Sequence, residues 1–189
     1  MWKREKSEMR KTYSRTKRIN QNRKTMSEID FECKKCGTCC RDLLEDFDGI
    51  RKGLILTANE TNLFPSEMVS PKIAIGVKKP DKIIEYQLSV NVCPHLNERN
   101  ECMIYYKRPL MCKAFPYESG TFSVKCEVFS HLKAGVPCNV AFSLTEIEAS
   151  EKLNRYIMNR FRKYFKKGSK LWEFDLATKE WTVKASQNP

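Results

Sequence analysis

The chain has 189 residues, with 35 Lys or Arg against 23 Asp or Glu and a formal charge of +12. That length suits one domain plus extensions. No apolar run approaches the ~20 residues of a membrane span, Leu54-Ile55-Leu56 being among the longest, so a membrane-spanning class is excluded. Cysteine, nine residues in 189, falls short of the roughly 8–10% of small disulfide scaffolds. The count is odd, and Met1 to Asp30 holds no apolar stretch of the signal-peptide kind. Reduced thiols and a cytoplasmic location are the expectation.

In chain order, the first segment is a basic one. Between Met1 and Met26 ten Lys or Arg stand against Glu5 and Glu8, with no apolar face. Residues 1–28 are expected to be a disordered basic arm, open to non-specific, salt-dependent contact with nucleic acid. Trp2 and Tyr13 are too few to make it a base-stacking segment. Cys33 to Cys40 reads as a ligand loop, entering a short helical turn through Arg41 to Leu44. Thr57-Ala-Asn-Glu60 has capping-box spacing and predicts a short helix ending before Pro65. Ile73, Ile75 and Val77 alternate, as do Leu88, Val90 and Val92, predicting a hairpin that delivers Cys93 at its far end. Thr121 to Cys126 reads as another short strand.

Ser143-Leu-Thr-Glu146 offers a second capping box before the best helix of the chain. Its stripe is Leu153, Ile157, Phe161 and Tyr164 or Phe165, with Gly168 placed to end it in a left-handed cap. Leu171 to Leu176 and Trp181 to Lys184 predict a terminal hairpin. The class is α+β: a small irregular domain with cysteine-clamped loops, short hairpins and one long C-terminal helix. The expected organisation is an arm at 1–28, a cysteine-cluster metal-binding domain at 29–142, and a helix plus hairpin at 143–189 packed on the same domain.

Four cysteines fall within eight residues, at Cys33, Cys36, Cys39 and Cys40, and five follow at Cys93, Cys102, Cys112, Cys126 and Cys138. Thiols this dense point to metal chelation. The C-x-x-C spacing turns two sulfurs onto one ion, and Gly37 permits the tight backbone required. Eight sulfurs would fill two four-sulfur sites. Cys138, after Gly135 and Pro137 in a loop, is the expected spare. The vicinal pair Cys39-Cys40 suggests two centres, or one centre and a neighbour, because adjacent side chains in extended backbone point to opposite sides. The predicted ligands are therefore Cys33, Cys36, Cys39, Cys40, Cys93, Cys102, Cys112 and Cys126, with their division between sites open. Zinc and iron–sulfur both suit thiolates. C-x-x-C-x-x-C is similar to a ferredoxin run. For zinc, C-x-x-C is an ordinary knuckle, yet the later gaps of eight, nine and thirteen residues contain no second one.

The run Phe31-Glu-Cys33-Lys-Lys-Cys36-Gly-Thr-Cys39-Cys40 resembles the signature of the CxxCxxCC, or YkgJ-type, cysteine-cluster family. So do Cys93-Pro94-His-Leu96 and Cys102-Met-Ile104-Tyr105-Tyr-Lys-Arg108-Pro109-Leu-Met-Cys112-Lys-Ala-Phe115-Pro116. Cys126 matches the family's further cysteine. The resemblance covers about Phe31 to Val128 and implies a zinc- or iron-chelating domain with eight recurring cysteines. Lys113 replaces the family's usual arginine, and His95 stands where an aromatic is common.

Arg108 and Lys113 flank Cys112 and are expected to support the thiolates by charge or hydrogen bonding. Tyr105 and Phe115 are expected in the core, and His95 as a polar surface or hydrogen-bonding residue, with a nitrogen-ligand role left open. No dinucleotide or phosphate loop is present, and two histidines, His95 and His131, give no catalytic constellation. Whether the chain is an enzyme stays open. The reading favours an iron–sulfur cluster with electron-transfer or redox-sensing use and a redox or other protein partner. Its alternative is one or two zinc ions in a structural module that presents a surface to a protein or nucleic acid.

Overall fold

In the computed structural model the described residues are 29–30, 35–118, 121–122, 140–141 and 144–184. The basic arm, Cys33, Cys126, Cys138, His131 and Ser143 lie outside them. The chain divides into two units. In the first, β1 (Ile29–Asp30) pairs in parallel with β9 (Val140–Ala141). The remaining strands, the helices and the described cysteines belong to the second.

That unit is built on a five-stranded sheet with the order β11-β10-β5-β6-β4. Its strands are β4 (Leu54–Leu56), β5 (Val69–Gly76), β6 (Lys82–Leu88), β10 (Lys170–Phe174) and β11 (Trp181–Val183). Every neighbouring pair is antiparallel. With a five-residue helix α1 (Leu110–Ala114) and a long helix α2 (Leu144–Tyr164), the class is α+β. No helix among the described residues is long and apolar enough to cross a membrane.

The β5–β6 hairpin forms where the alternation predicts it, but it is shorter at the tip. A Cβ on Gly76 would lie 1.8 Å from the Lys79 carbonyl oxygen, so the backbone turns there, and the Asp81 N–H closes on Ile75 O at 3.1 Å. Val77 therefore falls in the turn and is exposed, and Val92 lies beyond the end of β6. The terminal hairpin is present as β10–β11, and β10 also pairs with β5 along Lys170–Glu173. Neither sequence run carries a trace of that second pairing.

A further hairpin has no counterpart among the elements expected from sequence. β2 (Glu45–Phe47) and β3 (Ile50–Lys52) are joined by Asp48-Gly49 at φ 53° and 75°, the positive angles that favour Asp-Gly in two-residue turns. A fourth small sheet pairs β7 (Tyr117–Glu118) with β8 (Thr121–Phe122); the rest of the strand expected through Cys126 lies outside the described residues.

Two apolar clusters hold the unit. Ile73, Ile75 and Ile84 on the sheet are covered by Phe161, Tyr164 and Leu171. Burial of each such side chain is worth about 1.5–3 kcal/mol, which fixes the α2 stripe against the sheet. Leu153 is buried on the same helix, whereas Phe165 is exposed and stacks on Phe161 at 4.6 Å. Gly168 has the expected positive φ of 83°, but the helix ends at Tyr164. Gly168 serves instead the tight turn in which Ser169 N–H reaches Lys166 O at 2.9 Å. The second cluster contains cysteine: Cys40 and Cys93 are buried with Leu56, Phe64 and Leu88.

The opposite requirement, burying polar atoms, is met by pairing. Gln87 is fully buried. Its Oε1 accepts from Gly53 N–H at 2.8 Å, and its Nε2 donates to Pro71 O at 2.8 Å and Phe174 O at 3.3 Å. Glu173, also buried, pairs with Lys52 at 2.9 Å.

Candidate metal centre

The first ligand loop turns on Gly37. Its φ is 76°, and an added Cβ would lie 2.9 Å from Asn100 O and 3.0 Å from Asn100 Cβ. A 3₁₀ turn, Thr38–Cys40, follows at once, closed by Cys40 N–H to Gly37 O (2.9 Å) and Arg41 N–H to Thr38 O (3.1 Å). Arg41 is extended, at φ −120° and ψ 160°, so the helical turn expected at Arg41–Leu44 sits three residues earlier. This displacement decides the geometry of the vicinal pair. Side chains one step apart in a 3₁₀ turn diverge by about 120°, not the 180° of a strand. Cys39 and Cys40 accordingly lie close enough for Cys40 to favour the Cys39 thiolate, rather than pointing to opposite sides.

The second loop is delivered by β6. Cys93 N–H donates to Cys40 O at 2.8 Å, stitching the two loops together. Asn91 reinforces the joint: its backbone O accepts from Leu43 N–H at 3.0 Å, and its Oδ1 accepts from Leu44 N–H at 3.3 Å. Beyond it, Leu96 and Cys102 form an antiparallel bridge across a tight loop. Asn97 Oδ1 caps that loop, accepting from Arg99 N–H at 2.9 Å and Glu101 N–H at 2.8 Å. The Arg41 guanidinium donates to Asn100 Oδ1 from the first loop. Near each sulfur the backbone N–H two residues on, that of His95 for Cys93 and of Ile104 for Cys102, favours the thiolate. Each cysteine opens a tight turn, closed by Leu96 N–H to Cys93 O at 3.1 Å and by Tyr105 N–H to Cys102 O at 3.2 Å.

Cys112 is placed by α1, and α1 is placed by Glu60. The predicted capping box at Thr57–Glu60 is half realised: Thr57 N–H donates to Glu60 Oε2 at 2.8 Å, above a single 3₁₀ turn (Glu60–Leu63) instead of an α-helix. The other oxygen of the same carboxylate accepts from Leu110 N–H at 2.6 Å and so caps α1 fifty residues away. Glutamine at this position has one acceptor oxygen for two N–H donors. Glu60→Gln is expected to cost about 1–3 kcal/mol, a fall in Tm of a few degrees at about 2–4 °C per kcal/mol, and to speed metal release to a chromophoric chelator. A melt and a release rate equal to those of the unaltered chain would remove Glu60 from the site.

Electrostatics reports how closely the sulfurs gather. Cys39 is lowered to about 7, first by the hydrogen bond from Cys40 and then by the charge of Arg108. Cys93 is lowered to about 6, again first by Cys40, with the His95 N–H assisting. Cys40 itself is pushed up because it holds its proton toward both neighbours. Burial raises Cys102 and Cys112, both of which also feel the charges of Cys39 and Cys93 and are lowered in part by Arg108. The Arg108 side chain is held in place at three points. Its Nε donates to Tyr105 O at 2.8 Å and its Nη1 to Cys112 O at 3.5 Å, and its guanidinium lies 3.8 Å from the Tyr105 ring centroid. Tyr105 is thus a platform for the cation rather than core. Lys113 lies half-buried on α1, its N–H donated to Pro109 O.

Cys39 and Cys93 thus feel Cys40, and Cys102 and Cys112 feel both of them. The Cys36 thiol donates to Thr38 Oγ1 at 3.3 Å. All six described cysteines are free thiols. His95 Nε2 lies 2.7 Å from Leu63 O and the ring packs on Phe64, as expected of a hydrogen-bonding residue. Among the described residues no three His, Cys, Asp or Glu side chains stand as close as a formed ion shell. The chemistry of the donors nonetheless fits a thiophilic ion: soft sulfurs, two already acidified, with the charge of Arg108 acting on three of them. The second role of Glu60 and the Asn100 support have no signature in the sequence, because their partners Leu110 and Arg41 are remote in the chain. The half box at Thr57 and the turn capped by Asn97, whose partners lie two and four residues on, are local.

Neither the curated proteins nor the solved structures provide a match to this chain. One family model does match, over residues 32–134, and its description is "CxxCxxCC: Putative zinc- or iron-chelating domain". That span covers more than half of the sequence and includes all eight expected ligands, from Cys33 to Cys126. The chain belongs to the CxxCxxCC family of zinc- or iron-chelating domains.

Proposed function

We propose that the eight cysteines, Cys33, Cys36, Cys39, Cys40, Cys93, Cys102, Cys112 and Cys126, chelate an iron–sulfur cluster used for electron transfer or redox sensing. The observation that carries this reading is the cation beside the sulfurs: the charge of Arg108 lowers Cys39, Cys102 and Cys112 alike. N–H donors at the sulfurs and a nearby cation are the means by which a protein sets the potential of such a cluster. The bound group supplies one-electron chemistry. The chain supplies the thiolates, their hydrogen bonds and a partly dry setting. A redox partner protein, and phosphate contact through the basic arm, belong to the same reading.

A second reading has its own support. Cys40 and Cys93 are members of the apolar core, so an ion here would also cross-link the fold, as structural zinc does. Anaerobic purification followed by absorption spectroscopy and elemental analysis of one sample separates the two. A brown protein with iron and acid-labile sulfide in near-equal amounts supports the cluster. A colourless protein carrying zinc replaces it with the structural module, and a protein with neither overturns both.

A further inference from the structure

A cleft of about 330 Å³ opens beside the cysteines, between the β2–β3 hairpin, β4, β5 and α1, with Cys39 at one end. Its volume lies in the range of small-molecule sites. Leu43, Leu54, Met111 and Phe115 make an apolar wall. The cations that line it are not equivalent. Arg41 is committed to Asn100, and Lys52 to Glu173. Lys72 is half-buried, with three ammonium donors, one of them given to Gly53 O at 3.1 Å. Among the described residues no carboxylate lies within ion-pair distance of it.

We propose that this cleft binds a small organic anion with an apolar body, of the class of a short aliphatic monocarboxylate, its head on the Lys72 ammonium and its tail along the apolar wall. A carboxylate would accept from the ammonium donors not given to Gly53, against the Asp42 and Glu45 carboxylates that also line the cleft. Lys72 is costly as it stands. Desolvation lowers it to about 8, against the attraction of Glu85 on β6, Glu173 on β10 and Glu45 on β2 and with the repulsion of Lys52 on β3. The proposal does not depend on which ion the cysteines hold.

The test uses the full chain with its metal as purified. Sodium hexanoate is titrated by calorimetry, with hexylammonium chloride and inorganic phosphate as controls. Saturable one-to-one binding of hexanoate is expected, neither control competing, and Lys72→Met should weaken it at least ten-fold. The variant should melt above the unaltered chain at pH 7. Between about pH 8 and pH 10.4 the unfolded chain holds the Lys72 proton that the folded one has lost, so the unaltered chain gains stability and the gap closes. Equal binding of hexanoate and hexylammonium would reduce the cleft to an apolar crevice. Binding of phosphate as tight as that of hexanoate, undiminished affinity in Lys72→Met, or no saturation by about 10 mM would each overturn the assignment. Should Lys72→Met not fold, the comparison of hexanoate with hexylammonium on the unaltered chain decides.

Discussion

Gly37→Ala is expected to strip the protein of most of its metal while the five-stranded sheet stays folded. Two costs add at this position. A non-glycine residue at φ 76° pays about 1–2 kcal/mol of backbone strain. The new methyl also meets Asn100 O at 2.9 Å, Asn100 Cβ at 3.0 Å and Leu96 Cδ1 at 3.1 Å. Asn100 cannot simply retreat, because its own φ is 62° and its N–H is held by Asn97 O at 3.0 Å. Room for the methyl is made only by parting the Cys36–Cys40 loop from the Cys93–Cys102 loop, which separates the sulfurs. A total of about 2–4 kcal/mol follows. Gly49→Ala is the control: its φ is 75°, but nothing lies within 4 Å of the added methyl, so it pays the strain alone. Metal content per chain and far-UV circular dichroism read the comparison. Full metal occupancy in Gly37→Ala would show that the loops need not touch.

Removing the metal should act on half of the fold. Cys40 and Cys93 pack with Leu56, Phe64 and Leu88, whereas Ile73, Ile75 and Ile84 pack under α2 with no cysteine among them. A structural metal contributes about 10–16 kcal/mol in small fingers, comparable with the entire stability of a domain at about 5–15 kcal/mol. Even a third of that lowers Tm by about 10 °C or more in a chain of this size. Chelation under reducing conditions is therefore expected to abolish amide-exchange protection around Leu56, Leu88 and Cys93, and to spare Ile84 and Leu171. Uniform protection before and after chelation would make the ion incidental to folding, whatever its chemistry.

What the sequence discloses is the part that depends on neighbours along the chain. Alternation marks the β5–β6 hairpin and its delivery of Cys93, the 3.6-residue stripe marks the face of α2, and the cysteine pattern marks the family. What stays hidden depends on neighbours across space. Nothing in Leu171-Trp172-Glu173 announces that it pairs with Ile73 to Ile75 as well as with β11. Sequence puts the helical turn at Arg41–Leu44 because the constraint on Gly37 from Asn100, sixty-three residues on, is invisible locally. Lys72 reads as one more polar residue between apolar ones. Only the fold turns it inward beside Gly53.

The family pattern ends at residue 134, before α2 begins and well before β10 takes its place beside β5. A fragment cut at that boundary would keep every expected ligand and lose Phe161, Tyr164 and Leu171, leaving Ile73, Ile75 and Ile84 bare on a sheet with an open edge. Bare apolar faces and unpaired edges drive self-association. Light scattering should find such a fragment in particles far larger than one chain. The recurring cysteine pattern thus marks where the chemistry is, and colloidal stability is supplied by the segment that follows it.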